Sequence, residues 1–90
     1  MGVLQRNKSI DMEYINKITL QGKASNVRHY KNKKYPYIFW IHTKPEGYVD
    51  TYHHIFAKSK KEIHDNDLVR VEGVILNSRV YASKVRLIKA

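Results

Sequence analysis

From about Met12 onward the chain alternates apolar and polar residues, and that period of two predicts strands. In YINKITLQGKASNV (Tyr14 to Val27), Ile18, Leu20, Gly22 and Ala24 share one parity, and Lys17, Thr19, Gln21 and Lys23 take the other. This is a half-buried strand whose inner face shrinks along its length. Gly22 in its middle predicts a bend or a close backbone approach, and a strand bent there can serve both sheets of a small barrel. RHYKNKK (Arg28 to Lys34) is a polar, basic connection, followed by YPYIFWIHT (Tyr35 to Thr43) as a second strand. KPEG (Lys44 to Gly47) predicts a type I turn with Pro and Gly at its second and fourth positions. YVDTYHHIFA (Tyr48 to Ala57) is the third strand, rich in aromatic and β-branched residues. LVRVEGVIL (Leu68 to Leu76) is the fourth, with Val69, Val71, Gly73 and Ile75 on one face. Asn77-Ser78 predicts a short hairpin turn, because Asn tolerates positive φ. VYASKVRLI (Val80 to Ile88) is the fifth strand.

Between the third and fourth strands the pattern changes. Ser59 and Glu62 have capping-box spacing, which predicts one or two helical turns over SKKEIH (Ser59 to His64), ended by Asp65-Asn66-Asp67. Five strands with a short helix between strands 3 and 4 describe an all-β Greek-key barrel of the OB-fold type. An SH3-like barrel fits less well, because it needs no capped helix there. Residues 12–90 form this domain; residues 1–11 show no period and are expected to be an N-terminal extension, flexible or adding a strand elsewhere.

Parity also sorts the aromatic residues. On the second strand Phe39 and Ile41, with Tyr37 less securely, suit a barrel interior, so Trp40 and His42 face outward. On the third, Val49, Thr51, His53, Ile55 and Ala57 suit the interior, which leaves Tyr48, Tyr52, His54 and Phe56 outside. Trp40 has two readings: a platform on which a base stacks, or a ring buried in the core or under the N-terminal extension. Tyr52 is better placed for stacking. Tyr48 and Tyr81 are weaker candidates, since exposed Tyr is common on strands through propensity alone. Phe56 is expected to pack against the helix start, and Tyr30 lies in the basic connection.

Composition then narrows the partner. Seventeen Lys and Arg against eight Asp and Glu give a formal net charge of +9, and the sequence pI is near 9.9. The basic residues are spread along the chain, which indicates a charged folded surface and a polyanionic partner. Lys31, Lys33 and Lys34 fall in the first hairpin loop, where OB-folds commonly grip oligonucleotides, and Lys44 in the second. Arg70 on the fourth strand, and Arg79, Lys84 and Arg86 on the fifth, are expected to point outward. Taken singly, each is an ordinary solvated charge. Together with the outer rings they compose a single-strand binding surface, a positive track with stacking platforms.

Other functions find little support. Ninety residues make one domain with a thin core, in which roughly 60–65% of the unfolded surface is buried. There is no cysteine, hence no disulfide framework and no thiolate metal site. His53 and His54 are adjacent and point to opposite faces of a strand, so they cannot share a metal, and no metal or other cofactor is expected. No apolar run approaches a membrane helix, and no long amphipathic helix has a basic face, so no membrane partner is expected. The N-terminus lacks a secretory apolar segment, and Arg6 stands where a myristoylation signal needs Ser or Thr; a cytoplasmic location is expected. No phosphate loop or nucleophile elbow is present, and the carboxylates have turn or surface explanations, so no enzyme is expected.

ITLQGKAS, TYHHIFAKSKKEI and DLVRVEGVI together resemble the bacterial single-stranded DNA-binding protein family, including its primosomal replication protein N branch. The residues that carry the likeness are Ile18-x-Leu20-x-Gly22, Tyr52-His53-x-Ile55 and Val69-x-Val71-Glu72-Gly73, and it covers nearly all of Met12 to Ala90. The resemblance implies an OB-fold, single-stranded DNA as ligand, and assembly as a homodimer or homotetramer. It implies a base-stacking role for Tyr52 and a subunit-interface position for His53. Replication or repair proteins are the partners it implies. The chain ends at Lys89-Ala90 without the family's acidic-tipped tail, which brings it closer to primosomal replication protein N. Its fourth-to-fifth strand connection is too short to help wrap DNA. RNA or tRNA binding on the same fold, and a protein-interaction adaptor in a primosome-like assembly, remain alternatives.

Overall fold

The computed structural model describes residues 14–58 and 62–90. Five strands follow in order: β1 (Ile18–His29), β2 (Tyr37–Thr43), β3 (Thr51–Ala57), β4 (Leu68–Leu76) and β5 (Arg79–Lys89). They close a barrel in the order β1-β2-β3-β5-β4, in which every pairing is antiparallel except β3 with β5. This all-β, closed five-stranded architecture is consistent with the expected OB-fold.

β1 closes the barrel by serving two neighbours. Its first half, Ile18 to Lys23, pairs with β4, and Lys23 onward pairs with β2. The changeover falls beside Gly22. A Cβ built there would lie 1.9 Å from the His42 carbonyl oxygen, so only glycine permits this approach. The core follows parity where strands overlap on both sides: Phe39, Ile41, Ile55, Val69 and Val71 are fully buried. Each such side chain contributes roughly 1.5–3 kcal/mol by leaving water. Ala24 and Ala57 fill the narrower places, and Ile63 joins the same cluster from the β3–β4 connection.

Three register shifts reset the alternation, one in β1 and two along the β4–β5 pairing, the outermost of them between Leu68 and Val69. In β1 the register slips between Ser25 and Arg28, with Asn26 in the left-handed region at φ 51°. In β5 the partner of Glu72 is Lys84, while that of Gly73 is Ala82, so Ser83 is the extra residue. A strict period of two would put Arg79 and Lys84 on opposite faces; the bulge lets Arg79, Lys84 and Arg86 all stand exposed.

Several expectations need correction. Of the expected helix, Ser59 to Lys61 lie outside the described residues, and Glu62, Ile63 and His64 are not helical. Asp67 instead folds this stretch back as a turn. Its Oδ2 accepts a hydrogen bond from the His64 amide at 2.9 Å, and its own amide donates to the His64 carbonyl at 3.2 Å. The same turn docks on β1, where the Asn66 amide donates to the Ala24 carbonyl at 2.7 Å and the Ala24 amide donates to the Asp67 carbonyl at 2.8 Å. The expected extension over residues 1–11 also lies outside the described residues. The turn after β2 is shifted by one residue: the Tyr48 amide donates to the Pro45 carbonyl at 3.1 Å, with Gly47 third at φ 79°, as a type II turn requires. β3 therefore starts only at Thr51, and Tyr48 and Val49 are 78% and 80% exposed. Ile75, grouped by parity with the buried Val69 and Val71, is exposed because the β4–β5 hairpin runs past the end of the β1 pairing at Gly73. There the Asn16 side-chain amide exchanges two hydrogen bonds with the Ile75 backbone, at 2.8 and 2.9 Å. The Asn77-Ser78 hairpin turn is as expected, with φ of 50° and 65° at its two central residues, a type I′ pattern.

Candidate nucleic-acid interface

The register of β2 against β3 builds the site. Trp40 is opposite His54, His42 opposite Tyr52 and Ile38 opposite Phe56, all with side chains away from the barrel interior. Directly opposed side chains in an antiparallel pair come close enough to touch. The Trp40 and His54 rings are accordingly stacked, with centroids 4.3 Å apart and planes 2° from parallel. His42 and Tyr52 stack at 4.9 Å. The row continues along β3, with His54 tilted against Phe56 at 4.6 Å.

The parallel β3–β5 pairing carries the row across to the next strand. Phe56 is in register with Tyr81, and their rings stack at 5.3 Å; Tyr35 then meets Tyr81 edge-on at 4.9 Å. Phe56 thus belongs to the outer aromatic row and not to a helix contact. Cations stand on the rings: Arg79 lies 5.2 Å over Phe56, Lys58 5.4 Å over Tyr35 and Lys33 5.3 Å over Tyr30.

Trp40 is outside the core, 36% exposed, and Tyr52 is 59% exposed. Beside Trp40 opens a groove of about 320 Å³, lined by Asn26, Arg28, Tyr30, Ile38, Trp40, His54 and Phe56. His54 is held below the usual imidazole range, first by burial and second by the positive charge of Arg79. It therefore presents a neutral ring to Trp40 at physiological pH. His42 Nε2 lies 3.2 Å from Asp50 Oδ2, at ion-pair distance but without hydrogen-bond alignment.

Not every expected residue joins this surface. Trp40, Tyr52, His54, Tyr81, Tyr30, Lys33 and Arg79 come together on or beside it. Lys31 and Lys34 are exposed in the same loop as Tyr30, and Lys44 is exposed just past β2. Tyr48 is exposed in the β2–β3 connection and takes part in no ring pair among the described residues. Arg70, Lys84 and Arg86 sit on the β4–β5 wall instead. There Arg70 is in register with Arg86 and donates from Nε to the Gln21 Oε1 at 2.8 Å, and Lys84 is in register with Glu72. β4 borders neither β2 nor β3. His53 is half-buried opposite Ile41, on the other face of β3 from His54. Among the described residues no three His, Asp or Glu side chains gather as a metal site.

Arg28, Asn26, Ile38 and Tyr35 were missed by sequence reasoning. For Arg28 a signal exists in ASNVRH: the inward apolar position moves from Ala24 to Val27, a three-residue step that marks a bulge and turns Arg28 outward. The Val27 amide, freed from the ladder, donates to Asp65 Oδ1 at 2.9 Å.

Compared with protein-family models, curated proteins and solved structures, the chain matches none of them.

Proposed function

We propose that this protein is a non-catalytic single-stranded DNA-binding OB-fold, related to the single-stranded DNA-binding and primosomal replication protein N family. One observation carries the reading: the row of rings Trp40, His54, Phe56 and Tyr81, with Tyr52 and His42 beside it, crosses three strands on an outer face bordered by Arg28, Arg79 and the Tyr30–Lys34 loop. Soluble proteins bury most of their large rings, and an outward-facing row of half-buried rings with Trp40 and Tyr52 exposed and cations at its border suits ligands that have flat faces and negative charge. The net charge of +9 favours the same partner through counterion release. Bases stack on Trp40 and Tyr52 while Lys and Arg neutralise phosphates.

The test is a titration of labelled oligo-dT at several salt concentrations. Log affinity is expected to fall with log salt with a slope of about −0.7 per neutralised phosphate. Flat salt dependence, or preference for duplex, overturns the reading. Tighter binding of a matched RNA oligomer transfers it to RNA, since only a 2′-OH contact favours RNA. No affinity for any oligonucleotide at low salt leaves the rings as a protein-docking surface.

A further inference from the structure

The groove beside Trp40 combines an aromatic wall with groups that stacking does not need. Asn26 and Arg28 come from the β1 bulge and border the same space as Trp40 and Tyr30. Arg28 is in register with Ile38, two residues before Trp40 on the same outer face of β2. Both Asn26 and Arg28 are exposed, and neither side chain has a hydrogen-bond or ion-pair partner among the described residues. Arg70, in contrast, donates to Gln21, and Arg79 lies over Phe56. At about 320 Å³ the groove is at the small end of ligand pockets, room for one nucleoside.

We infer that this groove holds one base of the bound strand against Trp40, and that Arg28 reads that base's edge and selects guanine. The inference rests on the single-strand reading above and adds base selection to it. The guanidinium is a planar fork of donors, and guanine presents O6 and N7 as two acceptors at matching spacing. Adenine offers a donor and an acceptor there and thymine presents O4 alone, so each leaves part of the fork unpaired; cytosine, whose O2 and N3 are adjacent acceptors when unpaired, has only one ring and covers less of Trp40 than a purine. The bulge is what makes this possible. Without the extra residue, Arg28 would face the barrel interior instead of the groove.

Trp40 is the single tryptophan, so its fluorescence reports on this groove directly. The experiment compares oligo-dT with the same oligomer carrying one central guanine, adenine or cytosine, following both anisotropy of a labelled end and quenching of Trp40. The guanine oligomer is expected to bind about tenfold more tightly than the others. Arg28→Lys keeps the charge and removes the fork. It should abolish that preference, read as the ratio of the variant's own affinities for the guanine and the all-thymine oligomers at the same salt. Equal affinity of the wild type for all four oligomers overturns base selection while leaving single-strand binding intact. A guanine preference that survives Arg28→Lys overturns the role of Arg28. Absence of binding to every oligomer overturns both readings.

Discussion

The outer walls of β2–β3 and β4–β5 are made by the same alternation, yet they differ in kind. On β2–β3 the outward positions hold rings, and the antiparallel register sets each ring against another: Trp40 on His54 and His42 on Tyr52. On β4–β5 the central outward positions, Arg70 and Glu72 facing Lys84 and Arg86, hold charges, β4 has no aromatic residue at all, and the single ring of β5, Tyr81, belongs to the aromatic row. There the register sets Arg70 beside Arg86 and Glu72 beside Lys84. Opposed rings gain from contact, roughly 0.2–1 kcal/mol per pair, and order one another; opposed arginines repel, and Arg70 turns to Gln21 instead of to Arg86. Positive charge is therefore a poor guide to the site by itself. The cations that matter to the proposed function are those beside rings.

The contrast can be broken by substitution. Trp40→Ala should have the largest effect, a loss of about 1–3 kcal/mol in oligo-dT binding with the salt slope unchanged. Tyr52→Ala should follow, and Tyr48→Ala should change little, because Tyr48 lies in the turn region outside the row. The same titration reads all three, and equal losses for the two tyrosines would dissolve the face assignment. A smaller effect separates the arginines. Arg79→Ala should reduce the salt slope by about 0.7, one phosphate, and Arg70→Ala should leave it where it was. A matching reduction from Arg70→Ala would mean that the charged wall also contacts the strand.

The smallest effect is on stability and comes from His54. Its folded pKa lies below the ordinary 6.5 because burial and Arg79 disfavour the imidazolium. The unfolded chain thus binds the proton more readily than the folded one. The contribution of His54 to stability is full above pH 6.5 and is lost as pH falls from there towards the lowered folded value. Urea denaturation across this range should show the decline, and His54→Gln should flatten it. Substitutions on the charged wall should not.

Much of the barrel was legible in the chain. Gly22 marked the place where β1 changes partner, and parity placed Phe39, Ile41 and Ile55 inside and grouped Val69 with Val71 on one face, because a strand's side chains must alternate. Asn77-Ser78 announced its own turn. The helix after β3 was not legible correctly as far as the structure describes it. Ser59 and Glu62 match a capping pattern, but the Asp67 side chain accepts from the His64 amide and the Ala24 carbonyl from the Asn66 amide, which holds this stretch as a turn. The ends of strands also misled, since Val49 and Ile75 have suitable parity but no second layer to cover them.

The sequence by itself determined the order of five strands and the apolar residues at their centres, since these depend on neighbours one or two residues away; that Trp40 stands outside the core was settled by the structure. Only the tertiary structure decided which outward residues form a site. Phe56 meets Tyr81 through a parallel pairing between strands that are not adjacent in the chain, and Arg28 reaches the Trp40 groove through a bulge that shifts parity. Both depend on where a distant strand lies, and a period of two along one strand carries no information about its neighbour across the barrel.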